Sequence, residues 1–235
     1  MFYERFLNRI AVYMVFKEQY MFEFKQYEIG MLQNLVVFLH GYNGNLADHQ
    51  DAIDWLRQYL KDSILLTPQA TEICDKNPQK RQWFGMLKYD SAGYRTLPET
   101  SVDDIFAVYE QAETEIEMQA NLINTFIDTQ QKKINIDNGH TYIVGFSQGA
   151  MLAVYAALTR LQKIGAVFAL SGLVAGKDKL TTHIKSRPPI YMFHGERDLK
   201  VQYKTLAKSV AWAQKNNIQI QCHTWPDLAH FMIEE

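Results

Sequence analysis

Cysteine is nearly absent: Cys74 and Cys222 are the only two in 235 residues, and they lie far apart. Two thiols without metal-ligand spacing exclude a disulfide-stapled scaffold and a zinc ribbon. Free thiols in a reducing compartment are the simplest reading, so the cytoplasm is the expected location. Long apolar runs are missing too, since none approaches the roughly 20 residues a membrane-spanning helix needs. The N-terminal patch Ala11 to Phe16 is short, has Glu4 beside Arg5 and Arg9 upstream, and lacks a small-residue cleavage site after it. A signal peptide is therefore not expected. Basic clusters are lacking: the formal net charge is -2 and Lys and Arg are scattered along the chain. That leaves no electrostatic footprint for nucleic acid or an anionic membrane. No Gly-rich phosphate loop leads to a Lys, and the histidines are dispersed, so neither a metal nor any other cofactor is expected.

What remains is ordinary globular material, with 47% hydrophobic and 21% charged residues, at a length that suits one α/β domain. Four short apolar runs rich in Val, Ile, Phe and Tyr read as strands: Leu35 to Leu39, Tyr142 to Phe146, Ala166 to Leu170 and Ile190 to Phe193. Ser63 to Leu66 and Ile218 to Thr224 are weaker candidates, each ending near a proline. Between them, Ala47 to Leu60, Val102 to Thr129, Ala150 to Leu161 and Tyr203 to Lys215 repeat their apolar residues at helical spacing. Apolar strands alternating with helices predict a mainly parallel sheet with helices on both faces. Functional groups then belong at the carboxyl ends of the strands. The stretch Thr67 to Pro98 lacks periodicity and reads as a long loop beside the site.

The segment Gly145-Phe146-Ser147-Gln148-Gly149 follows a strand and precedes a helix. That context distinguishes a nucleophile elbow from a plain turn with a capping serine. A serine hydroxyl is a poor nucleophile at neutral pH, so it needs a base, and the base needs an orienting group. On such a fold the order is serine, acid, histidine. Of the downstream histidines, His230 sits in a loop after the last candidate strand. His194 at a strand end and His223 inside a strand read as structural, and His183 lies elsewhere. Asp198 is the best placed acid, with Glu196 and Asp227 competing. An oxyanion also needs two N–H donors: Gln148 follows the serine, and the turn His40-Gly41-Tyr42-Asn43-Gly44 can aim the amide of Tyr42.

These motifs together resemble the phospholipase/carboxylesterase family of α/β-hydrolases, which includes the acyl-protein thioesterases. The resemblance runs from about Leu35 to His230 through Phe38-Leu39-His40-Gly41, Gln82-Trp83-Phe84, the Ser147 pentapeptide, His194-Gly195 with Asp198 and Val201, and His230. It implies an α/β-hydrolase fold, a triad of Ser147, Asp198 and His230, an oxyanion hole from Tyr42 and Gln148, and Trp83 near an acyl pocket. It implies hydrolysis of small carboxylic esters or thioesters, carried by a lipid or an acylated protein. Two features depart from the pattern: Gln202 stands where proline is usual, and the sequence runs only five residues past His230, where relatives continue into a final helix. Residues 31–235 form the expected hydrolase domain, and residues 1–30 an N-terminal extension. Its residues Phe2, Phe6, Ile10, Tyr13, Phe16 and Tyr20 fall near a helical repeat, while Tyr20, Phe22 and Phe24 alternate as in a strand. The extension is expected to cover apolar surface on this chain or on a second copy, which makes a homodimer a candidate assembly; the other readings are a membrane-surface helix and an upstream extension that is not made if translation begins at Met31. The competing readings are a binding protein on the same fold without catalysis, and a hydrolase of lactones or peptides.

Overall fold

The computed structural model describes residues 22–230. The helical repeat of Phe2 to Tyr20 and the five residues after His230 lie outside them. The described chain begins with an edge strand, β1 (Phe24–Ile29), then β2 (Asn34–Leu39), α1 (Gln50–Tyr59) and β3 (Ser63–Pro68). A short hairpin follows, β4 (Glu72–Ile73) with β5 (Arg81–Gln82), then α2 (Val102–Gln111) and α3 (Glu113–Ile134). The second half alternates regularly: β6 (Thr141–Phe146), α4 (Gln148–Thr159), β7 (Ala166–Leu170), α5 (Lys177–His183), β8 (Ile190–Gly195), α6 (Thr205–Lys215) and β9 (Ile220–Trp225).

Seven strands form one sheet in the order β1-β3-β2-β6-β7-β8-β9, parallel throughout except for β1, which runs antiparallel to β3. Side chains alternate across each strand, and the sequence fills both sides. Leu35, Val37 and Leu39 of β2 join Ile143, Val167, Ala169, Ile190 and Met192 in the larger core with α2 to α6. Val36, Phe38 and Val144 face the other way and pack with Ile53 of α1. This two-sided burial explains why these strands read as continuous apolar runs. Helix α4 is the pillar of the larger core. Every residue from Gln148 to Leu158 is buried, and its alanines let it lie close against the sheet and α3.

The opposite face carries α1 alone among the described helices, so the described residues cover it only in part. There an apolar groove of about 780 Å³ is lined by Leu56, Val144, Phe168, Leu170, Phe193 and Trp225. A ladder of stacked rings runs across this face: Tyr191 on Phe168 at 5.2 Å, and Phe193 on His223 at 5.3 Å and on Trp225 at 6.1 Å.

Three local expectations are refined. The helical stretch from Val102 is two helices, because the backbone at Ala112 (φ -87, ψ 0) leaves the α-helical range and starts a new helix. The loop from Thr67 holds the β4–β5 hairpin and a single 3₁₀ turn at Tyr94–Thr96. The last strand starts two residues later than its apolar pattern, at Ile220. No described helix is long and apolar enough to cross a membrane.

Candidate active site

The central parallel strands deliver their carboxyl ends to one edge of the sheet, and the singled-out residues gather there. Ser147 sits between β6 and α4 with φ 53 and ψ -115, a conformation that side chains rarely adopt. The surroundings hold it: its N–H donates to Leu170 O at 2.8 Å, and its carbonyl accepts from Ala150 N at 3.0 Å. The helix can turn away this sharply because position 149 has no side chain. A Cβ on Gly149 would stand 2.2 Å from the Leu39 carbonyl oxygen, well inside contact distance.

His230 reaches the serine from the loop after β9. Its Nε2 lies 3.0 Å from Ser147 Oγ and its Nδ1 lies 2.7 Å from Asp198 Oδ2. A carboxylate can only accept, so Nδ1 carries the hydrogen and Nε2 presents its lone pair to the serine hydroxyl. The loop is fastened to the end of β8 by Glu196 N to Trp225 O at 2.9 Å and Arg197 N to Leu228 O at 3.0 Å. It lies so close that a Cβ on Gly195 would fall 2.2 Å from the Leu228 carbonyl oxygen. The Phe146 ring, 4.9 Å away, backs the imidazole.

Asp198 is buried. Its Oδ1 accepts from Lys200 N at 2.8 Å and Val201 N at 3.0 Å. Burial pushes its carboxyl up, but the His194 and His230 rings and the Val201 amide outweigh that and hold it at about 2. It is therefore an anion across the neutral range. The competing acids stand elsewhere: Glu196 accepts from Thr224 Oγ1, and Asp227 pairs with Arg197 at the surface. His183 bonds within its own helix to Lys179 O, and His223 belongs to the ring ladder.

On the facing side, Gln148 opens α4, so its backbone N–H is one of those a helix leaves unbonded. The Tyr42 N–H has no hydrogen-bond acceptor among the described residues. The turn carrying it is braced by His40. The ring accepts from Ala70 N at Nε2 (3.0 Å), so Nδ1 carries the hydrogen and donates to Gly41 O at 2.8 Å. Burial pulls the His40 ring down to about 4, which keeps it neutral in this double role. The Tyr42 hydroxyl donates to Asp75, whose other oxygen accepts from Met86 N and Leu87 N.

Trp83 is 0% exposed. Its indole N–H donates to the His40 carbonyl at 2.8 Å, so the ring forms a wall behind the turn. The Gln148 side chain completes that wall by a peptide-like pair of hydrogen bonds, accepting from Trp83 N at 2.8 Å and donating to Phe84 O at 2.7 Å. Sequence reasoning did not single out His40 or the Gln148 side chain for these tasks. The available signal was polar residues flanking the two strand ends that carry the site.

The family model for phospholipase/carboxylesterase matches residues 28–235, nearly the whole described chain. The chain belongs to the phospholipase/carboxylesterase family. Family membership and homologues make it a serine hydrolase of carboxylic esters or thioesters, and the sheet is that of an α/β-hydrolase. Acyl-protein thioesterase 1 of Candida albicans is 24% identical over 85% of this chain and 86% of its own length. The crystal structure of esterase PE8 superimposes with a TM-score of 0.73 at 25% identity, covering 87% of both chains. Acyl-protein thioesterase 2 of Zea mays shares the fold at 16% identity and a TM-score of 0.66, over 90% of this chain and 92% of its own.

Proposed function

We propose that Ser147, His230 and Asp198 are the nucleophile, base and orienting acid of an acyl-transfer cycle, with the amides of Tyr42 and Gln148 as oxyanion donors. The observation that carries this reading is the unbroken hydrogen-bond chain from Ser147 Oγ through His230 to the buried Asp198 carboxylate. As Oγ attacks the acyl carbon, its proton passes to His230 Nε2, and the imidazolium is stabilised by Asp198. The carbonyl oxygen gains charge, which the two amides receive. Collapse expels the alcohol or thiol, which takes the proton from Nε2, and leaves an acyl-serine ester. Water then attacks the ester with His230 again as base, and the carboxylic acid departs. The acyl group fits a lipid or protein carrier, the reading favoured by the thioesterase relatives. Two unpaired thiols fit a reducing, cytoplasmic setting.

Ser147→Ala is the direct test. Hydrolysis of an aryl acetate should fall by on the order of 10⁶-fold, the scale known for loss of a triad serine, and labelling by a fluorophosphonate should vanish. An alanine variant with wild-type turnover would refute the assignment. Rates across p-nitrophenyl esters of increasing chain length, followed by an acyl thioester, would then define the substrate class.

A further inference from the structure

We propose that His194 is a positioning residue for the triad acid, holding Asp198 in the plane that meets His230; this role rests on the catalytic reading above. His194 lies near the end of β8 and is 1% exposed. Its Nε2 lies 2.7 Å from the Val201 carbonyl oxygen and 3.4 Å from Asp198 Oδ2. A carbonyl only accepts, so Nε2 carries the hydrogen. Val201 is thereby clamped on both sides: its N–H rests on Asp198 Oδ1, and its carbonyl rests on the ring. The carboxylate is fixed at three points, by two loop amides on Oδ1 and by His230 on Oδ2. The His194 N–H approaches Oδ2 as a second positive edge.

The other ring nitrogen argues that packing is not the reason for a histidine here. Nδ1 is buried and has no hydrogen-bond partner among the described residues, which is unfavourable in an apolar setting. Leucine would fill the same space beside the groove without an orphaned nitrogen. Leucine could not hold the Val201 carbonyl, and the Asp198 loop would be free to turn its carboxylate away from the imidazole. Misplacement of a catalytic group by about 1 Å is enough to slow a reaction on the order of 10²-fold.

The measurement is kcat and KM for an aryl acetate, with active sites titrated by a fluorophosphonate, on the wild type, Ser147→Ala, His194→Leu and His194→Gln. His194→Leu should lower kcat on the order of 10- to 100-fold with KM within about twofold. His194→Gln, whose terminal amide can reach the Nε2 position, should recover most of that loss. A leucine variant with wild-type kcat overturns the positioning role. Should leucine not fold, His194→Asn serves in its place: its amide is too short to reach Val201, so it should show the same fall in kcat, and wild-type kcat overturns the role. If the wild type neither labels nor exceeds Ser147→Ala, the triad reading itself fails and this role falls with it. An active, labelled wild type with an unaffected leucine variant defeats the positioning role alone.

Discussion

Gln148 performs two tasks with two ends of one residue, and they separate cleanly by substitution. Its backbone amide is unaffected by a change of side chain, but its carboxamide is the partner of both Trp83 N and Phe84 O. Gln148→Leu leaves a buried donor and a buried acceptor unpaired, at roughly 1–3 kcal/mol each. We therefore expect a stability loss of roughly 2–6 kcal/mol in urea denaturation, with the remaining folded protein still able to label at Ser147. A leucine variant as stable as the wild type would show that the loop from Gln82 to Phe84 is held by other contacts. At this scale the sequence was informative where chemistry dictates residue type. The elbow glycines, the loop aspartate and the late histidine stand out because few residue types fit the tasks proposed for them. It was silent where the task is a contact between distant positions: no pattern along the chain links position 148 to 83 or 40 to 70. Trp83 illustrates the difference, since its motif points to the site but only packing shows that its ring is sealed behind the His40 turn.

Among the elements, the parallel strands were legible because burial on both faces leaves short apolar runs rich in β-branched and aromatic residues that end in Gly or Ser. The antiparallel sense of β1 was not, because strand direction depends on the partner, here β3, rather than on the strand itself. The division between α2 and α3 was equally hidden, with no glycine or proline to mark Ala112. The start of α2 is more explicit. Ser101 caps it by accepting from Asp104 N at 3.1 Å. Ser101→Ala should lose about 1 kcal/mol and lower the melting temperature by about 2–4 °C, while kcat stays at the wild-type value. A drop in kcat without a drop in melting temperature would mean that the cap communicates with the site.

For the molecule as a whole, acid is the revealing variable. A histidine in the unfolded chain takes up its proton near pH 6.5, whereas His40 in the fold does so only near 4. Between those values the unfolded state binds more protons, so stability falls as pH drops and is complete only above about 6.5. The full effect of His40 would approach about 3 kcal/mol. Asp198, held at about 2 against an ordinary 3.8, adds a loss of the same sign that begins only below about pH 4. Thermal denaturation from pH 8 to 4 should therefore show a decline setting in near 6.5, and His40→Gln should flatten it, whatever its own baseline. A glutamine variant that follows the wild-type slope would move the acid sensitivity to another group.

The sheet face that carries only α1 among the described helices also gives the protein a built-in optical gauge. Of the four tryptophans, Trp83 is sealed, Trp212 is half-buried on α6 away from the groove, and Trp55 and Trp225 line the groove, Trp55 being 44% exposed. Their emission combines a short-wavelength component that solvent cannot reach with a long-wavelength one that it can. Detergent or any apolar molecule entering the groove should shift the Trp55 and Trp225 share of the second component to the blue and shield it from iodide against a constant Trp212 background, which allows occupancy of that face to be followed without a label.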